Sequence, residues 1–471
     1  MRIKLGRPML LRQIASFSDC TLFFSEEDSC QKAIGYLATD TRELMPGDLF
    51  VALRSEDNDG HFYLEEAYRL GASAAIIEER YRDHAPPLCL LTAENTFDAL
   101  VRFAAAWSGS VTHRTIAVTG SVGKTTTRHF LSCILAERYR VHESEGNFNN
   151  LLGTTLTLLS MPPETEYLVA ECGMDAPGQI SRISSLLRPD IAVITGIGIS
   201  HLEKLKTKEA ICKAKLEILD GLMPNGMFYC PSAEPMLCHM TRVTPHTFSA
   251  LDSGADFYTN HLRQSGFGYR FDLIADGAQV PDLYVPILAS SLMPGVVCAA
   301  AVALHVGITE EQLRRGLSRY KPLPLRQNIQ SLGEILLLLD CYNACPASMK
   351  AAGETALHLQ EMTGGRIIAL LGDMNELGEA TVSGHREVGA YMAHICESLF
   401  CIGSHALLYA EGAAVDSCPG TPVFVFPAEA DREIAARQIA GRLKPSDILL
   451  MKGSRAGKLE SFLPIFRKLL L

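Results

Sequence analysis

At 471 residues the chain is too long for one ordinary core, and two or three domains are expected. Its 47% apolar and 20% charged content excludes a disordered chain. A net charge of −10, with no long basic stripe, argues against general nucleic-acid binding.

No apolar run reaches about 18 residues, so no membrane span is expected. The start, Met1-Arg-Ile-Lys-Leu-Gly6, lacks the apolar core of a secretory signal. The 14 cysteines include no C-x-x-C pair and are expected to be reduced, partly buried thiols. A cytoplasmic protein is the expectation.

The first 110 residues read as a small α/β unit. Asp48 to Leu53 predicts a strand, Tyr63 to Leu70 a helix, and Ala74 to Ile77 a second strand. A second unit, 111–320, opens with Thr115-Ile-Ala-Val-Thr-Gly-Ser-Val-Gly-Lys-Thr-Thr-Thr127. A β-branched run enters a glycine turn and leaves as a helix, which is a phosphate cradle. Gly120, Ser121, Val122 and Gly123 would offer backbone N–H groups to a phosphate chain. Lys124 would hold its β- and γ-phosphates, Thr125 would reach Mg²⁺, and Thr126 continues the helix start. Val118 stands where the usual P-loop has its first glycine, so the loop is the shorter G-x-x-G-K-T form.

Two apolar runs of this unit end on polar residues. Tyr167 to Ala170 ends on Glu171, and Ile191 to Thr195 leads to His201. In open parallel sheets ligands bind beyond the carboxyl ends of strands, so these residues are candidates to converge with the phosphate loop. Residues 205–223 read as helical. Tyr320 to Leu325 carries two prolines and is the candidate linker. The third unit, 321–471, repeats the alternation. Ile335 to Leu339 ends on Asp340, Ile367 to Leu371 on Gly372-Asp373, Leu399 to Ile402 on Gly403, and Asp447 to Met451 on Lys452. These endings predict a second ligand-facing rim.

With these residues in order, the chain resembles the Mur ligases along nearly its whole length. The resemblance rests on Thr39-Asp-Thr-Arg42, Pro46 to Leu53, Asp59-Gly-His61, Thr119 to Thr127, Gly146-Asn-Phe-Asn-Asn150, Glu171, His201-Leu-Glu203 and Ala214-Lys-Leu-Glu-Ile218. Tyr342-Asn-Ala344, Leu371-Gly-Asp-Met-Asn-Glu-Leu-Gly-Glu379 and Lys452-Gly-Ser-Arg455 complete it. The family fold is α/β in three domains: a UDP-binding domain, a central P-loop ATPase domain and a Rossmann-like ligase domain.

The resemblance implies an ATP-dependent ligase, in the branch that joins D-alanyl-D-alanine to UDP-N-acetylmuramoyl-tripeptide through an acyl phosphate. A sister ligase with another amino-acid donor, or a non-catalytic binding protein on the same fold, is the alternative. Lys124, Glu171, His201, Lys215 and Arg326 match catalytic positions. Thr125, Glu171, His201 and Lys215 match the Mg²⁺ side, with Lys215 at a position the family carbamylates; a solvated helix-face lysine is the competing reading. Gly120 to Thr126, Asn150, Arg326, Asp340, Tyr342 and Asn343 match the ATP side.

Thr41, Arg42, Asp59, Gly60 and His61 match positions around the UDP moiety, where plain turn chemistry is the alternative. Asn147, Asn149, Thr154 and Thr155 match the strip facing the muramoyl-peptide. Asn375, Glu376, Lys452, Ser454 and Arg455 match the dipeptide and tripeptide end. A monomer is expected.

The sequence also departs from the family pattern. Gly196 and Cys345 replace asparagines, and Leu325 replaces the glycine before Arg326. Pro231-Ser-Ala-Glu234 and Ser291-Leu-Met-Pro-Gly295 replace family motifs near the adenosine end. A retained reaction with weaker adenine contacts is expected.

Overall fold

The computed structural model describes residues 1–23, 33–198, 207–241, 243–415 and 420–471. They form two compact units: Met1–Thr119 with Arg138–Val193 and Lys215–Phe228, and Gly120–Glu137 with Ile194–Ala214 and Tyr229–Leu471.

The first unit opens with a six-stranded sheet. Its neighbours, in order, are Arg2–Leu10, Ala33–Ala38, Leu49–Val51, Ala74–Glu78, Cys89–Ala93 and Thr21–Phe23. The central pairings are parallel and the edge pairings antiparallel. Every side chain of Ala74–Glu78 and Cys89–Ala93 is buried, as continuous apolar runs in parallel strands require. The helix expected from Tyr63 begins earlier, as a 3₁₀ turn over Gly60–Tyr63 followed by an α-helix over Leu64–Arg69. The same unit carries parallel strands Ile191–Ile194, Arg114–Thr119, Tyr167–Glu171 and Val141–Glu143, neighbours in that order.

The second unit holds the helix Lys124–Leu135, a run of strands from Pro245 to Val285, the helix Met293–His305 and a six-stranded sheet. That sheet orders Asn328–Leu332, Ile335–Asp340, Ile448–Lys452, Ile367–Gly372, Ser398–Ile402 and Val423–Phe426. All but the first pairing are parallel. Cores lie on both of its faces, one around Met349, Leu371 and Tyr409, the other around Cys341, Phe400 and Phe462. Two-sided burial explains why these strands read as unbroken apolar runs. The helix Pro346–Thr363 starts with proline in its first turn and stops at Gly364, φ +71°.

The predicted linker is packed at its start, where Tyr320 stacks on Phe130 at 4.0 Å between ring centroids. The helical stretch expected over 205–223 appears as a helix over Lys208–Leu216 and a 3₁₀ turn over Glu217–Leu219. The twelve cysteines among the described residues are free thiols, eight of them buried, such as Cys172, Cys298 and Cys401. Among the described residues no helix is long and apolar enough to cross a membrane.

Candidate active site

The glycine loop is built as the sequence predicts. Arg114–Thr119 ends at Thr119, and Gly123, φ +85°, caps the helix Lys124–Leu135. Gly120 has φ +148°, and a Cβ there would stand 2.0 Å from the Thr195 hydroxyl. Only glycine satisfies both limits. Thr195, which the sequence reading did not single out, donates through Oγ1 to the Val122 carbonyl at 2.6 Å. The Ser121 N–H donates to the Gly196 carbonyl at 2.9 Å. The segment 195–198 therefore braces the loop from behind. Lys124 Nζ donates to the Gly120 carbonyl at 2.9 Å, so its ammonium lies along the loop's own backbone. Thr125 is 5% exposed. Val122 is exposed at the loop's tip.

The helix Met293–His305 packs on this phosphate-loop helix closely enough that a Cβ on Gly295 would lie 2.7 Å from Thr127 Oγ1. The rebuilt segment Ser291 to Gly295 thus borders the helix that the loop begins.

In the first unit, Glu171 ends the strand Tyr167–Glu171 and is 3% exposed. Asn149 donates from Nδ2 to Glu171 Oε1 at 3.1 Å, and the Glu171 N–H donates to Ser144 Oγ. Asn149 is thereby a group that orients Glu171. Asn150 caps the helix Leu151–Ser160 by accepting from the Gly153 N–H at 2.8 Å. Asn147 is exposed beside it.

Lys215 is 1% exposed. This removes the reading of a solvated helix-face lysine: Lys208 and Lys213 take the exposed face, while Ile211, Cys212, Ala214 and Lys215 are buried. Burial pushes the Cys172 thiol above its ordinary value; the Glu171 charge adds to the shift and the Lys215 charge opposes it. Glu171 and Lys215 therefore act on one buried neighbourhood. His201, with Leu202 and Glu203, lies outside the described residues. The hydroxyl of Thr125 and the carboxylate of Glu171 are hard oxygen donors, the kind a magnesium ion takes.

The predicted UDP-side residues separate into two kinds. Thr41 and Arg42 lie on an exposed 3₁₀ turn capped by Asp40. The Arg42 guanidinium, 2.5 Å from Asp40, is the first cause that holds the Asp40 carboxyl down at about 2. Gly60 and His61 are built into the scaffold. A Cβ on Gly60 would lie 2.7 Å from the Leu53 carbonyl oxygen. The His61 side chain is wholly enclosed, its Nε2 accepts from the Glu78 N–H at 2.9 Å, and its Nδ1–H donates to Asp59 at 2.6 Å. Its ring stacks on Tyr81, 4.1 Å away, and the Tyr81 hydroxyl donates to Asp59 at 2.9 Å.

Burial acts to raise the Asp59 carboxyl, but the hydrogen bonds from His61 and Tyr81 outweigh it and hold the carboxyl below its usual range. Stability from Asp59 is therefore full above the ordinary carboxylate pKa and fades as pH falls through the lowered folded value. Replacing His61 by Ala leaves the Glu78 N–H without its buried acceptor and takes the imidazole hydrogen bond from Asp59, while the Tyr81 bond remains. It is expected to cost about 2–4 kcal/mol in urea denaturation, with turnover kept while the protein stays folded.

Thr154 and Thr155 are both fully buried, and Thr155 donates to the Leu151 carbonyl within its own helix.

The second predicted rim assembles at the carboxyl ends of the parallel strands. Asp340 and Lys452 face each other in register and pair at 2.8 Å. Lys452, 1% exposed, also donates to the Asn343 carbonyl at 2.9 Å. Its charge is engaged in holding this loop. The Arg326 guanidinium lies over the Tyr342 ring at 4.1 Å. Asn343 is exposed. The Asn375 N–H donates to Ser454 Oγ at 2.9 Å, and the exposed Glu376 holds φ +64°. Arg455 pairs with Glu460. Arg326, Asp340, Tyr342, Asn343 and Lys452 form one cluster, and Asn375, Glu376 and Ser454 a second beside it.

A Mur ligase middle domain model matches residues 118–303, and a Mur ligase, glutamate ligase domain model matches 326–455. A UDP-N-acetylmuramoyl-tripeptide--D-alanyl-D-alanine ligase of Bacillus subtilis is 34% identical over 91% of this chain and 92% of its own. The chain belongs to the Mur ligase family. This Mur ligase also superposes on a crystal structure of MurF from Acinetobacter baumannii with TM-score 0.85 and 25% identity, covering 99% of this chain and 100% of that one. A MurF ligase from Thermotoga maritima in complex with ADP gives TM-score 0.77 and 26% identity, over 92% of this Mur ligase and 97% of that chain.

Proposed function

We infer that this Mur ligase joins D-alanyl-D-alanine to UDP-N-acetylmuramoyl-tripeptide, using ATP, in peptidoglycan precursor synthesis. The observation that carries this is end-to-end similarity to a ligase of that name, together with an intact phosphate loop and a buried Glu171 and Lys215. In our reading, residues 1–110 hold the UDP moiety, 111–320 the ATP, and 321–471 complete the ligase. The enzyme works as a monomer in the cytoplasm.

The tripeptide carboxylate attacks the γ-phosphate, and ADP leaves. The D-alanyl-D-alanine amine then attacks the acyl phosphate, and phosphate leaves with formation of the amide. Two anions must meet, so cationic and N–H groups are needed where charge gathers. The N–H groups of the loop and Lys124 take the phosphates. Thr125, Glu171, His201 and a carbamylated Lys215 would hold Mg²⁺, which would supply charge to neutralise phosphate oxygens. Carbamylation would turn a buried cation into an oxygen ligand. Arg326, stacked on Tyr342, faces the nucleotide, with Asp340 held on the ribose side by Lys452. Asn375 and Glu376 face the dipeptide. Thr41, Arg42 and Asn147 serve the UDP-tripeptide.

The test is ADP release with defined UDP-tripeptides crossed against dipeptides. Release that requires both UDP-tripeptide and D-alanyl-D-alanine is expected; release with another amine in its place overturns the reading. In the same assay the Michaelis constant for GTP is expected within about tenfold of that for ATP, because the adenine-side motifs are replaced. Tight, strict ATP selectivity would count against weakened base contacts.

A further inference from the structure

We propose that Leu325 is a positioning residue that fixes Arg326 and Tyr342 against each other by holding an unfavourable turn. Leu323-Pro324-Leu325-Arg326 is closed by the Arg326 N–H donating to the Leu323 carbonyl at 3.1 Å. Proline in the second place and φ +60° at Leu325 are the marks of a type II turn, whose third place favours glycine. A branched leucine in left-handed backbone is held only if its surroundings over-determine it.

Here they do. The partly buried Leu325 side chain packs against the core cluster that includes Cys341 and Met451, and its carbonyl accepts from the Tyr342 N–H at 3.2 Å. Two residues on, Gln327 is also left-handed, φ +48°. Its N–H donates to Asp340 at 3.3 Å, and its side-chain oxygen accepts from the Thr355 hydroxyl at 3.2 Å. Arg326 is thus clamped between two left-handed neighbours, each tied to the loop that carries Asp340 and Tyr342. Glycine at 325 would make the turn easy but would leave it unanchored. Leucine makes the turn costly and anchors it, so the stack of Arg326 on Tyr342 is set before any ligand arrives.

The inference rests on the nucleotide role proposed for Arg326 and Tyr342, and the test separates the two. Leu325→Gly, Leu325→Ala and Leu325→Met are compared for thermal midpoint and for Michaelis constants of ATP and UDP-tripeptide. Leu325→Gly relieves the backbone and removes the anchor; Leu325→Ala removes the anchor alone; Leu325→Met keeps both. The ATP constant is expected to rise about five- to tenfold in the glycine variant, as much or less in the alanine variant, and to stay near wild type with methionine. The tripeptide constant and kcat stay within about twofold. The thermal midpoint is expected to fall further for alanine than for glycine. An ATP constant that follows the thermal midpoint, or that is unchanged in Leu325→Gly, overturns the proposal. Wild-type protein that releases no ADP with both substrates would instead overturn the functional reading.

Discussion

Replacing Lys124 by Ala is expected to lower kcat for ADP release by about a thousandfold or more, the scale seen when a cation is removed from a phosphoryl-transfer site. The loop itself should survive. Its shape is set by Gly120 against Thr195, by Thr195 Oγ1 on the Val122 carbonyl, and by the Ser121 N–H on the Gly196 carbonyl. Lys124 donates to the Gly120 carbonyl and is partly exposed. A thermal midpoint close to wild type alongside lost turnover is therefore the expected pair. Lys124→Arg should not restore the rate, because a planar guanidinium cannot curl along the loop as an ammonium does. Retained turnover in Lys124→Ala would mean that the loop is a structural turn.

The second large effect is expected at Lys215. A lysine with 1% exposure either pairs its ammonium or loses its charge, because an unpaired buried cation is too costly. The carbamylation proposed above would replace that cation with an anion suited to a hard metal. Lys215→Ala should lower kcat by about a hundredfold or more, and short carboxylic acids such as acetate should restore part of it. Restoration distinguishes a lost ligand from a damaged fold, since a misfolded variant would not respond. Full activity without any added acid would exclude the role.

The strand ends were legible because parallel strands buried on both faces are continuous apolar runs, so the first polar residue after each run marks the rim. Glu171, Asp340 and Lys452 all fall at strand ends this way. The glycine loop was legible because Gly120 has both a left-handed backbone and no room for a side chain. What stayed hidden is who touches whom across the sequence. His61 meets the backbone of Glu78 and the ring of Tyr81, and Lys452 meets Asp340 across more than a hundred residues. Those pairings come from register and helix docking, which local pattern does not encode.

Thr154 and Thr155 were expected on the peptide-facing strip from the resemblance, and local pattern did not show their burial. A helix can bury a threonine hydroxyl by turning it onto the carbonyl four residues back, as Thr155 does. Lys215 sat in a lysine-rich run, and only its phase on the helix Lys208–Leu216 separates it from the exposed Lys208 and Lys213.

The Asn149 amide on Glu171 has a chemical consequence of its own. An amide donates without ever gaining or losing a proton near neutrality, so it can steady the carboxylate without competing for charge. An aspartate in its place would set two acids about 3 Å apart, and one of them would keep its proton well above the ordinary carboxylate range. Slow hydrolysis of that single amide in an ageing protein would place a second acid beside Glu171. The charge held there would then depend on acidity, with little change in the size of the side chain.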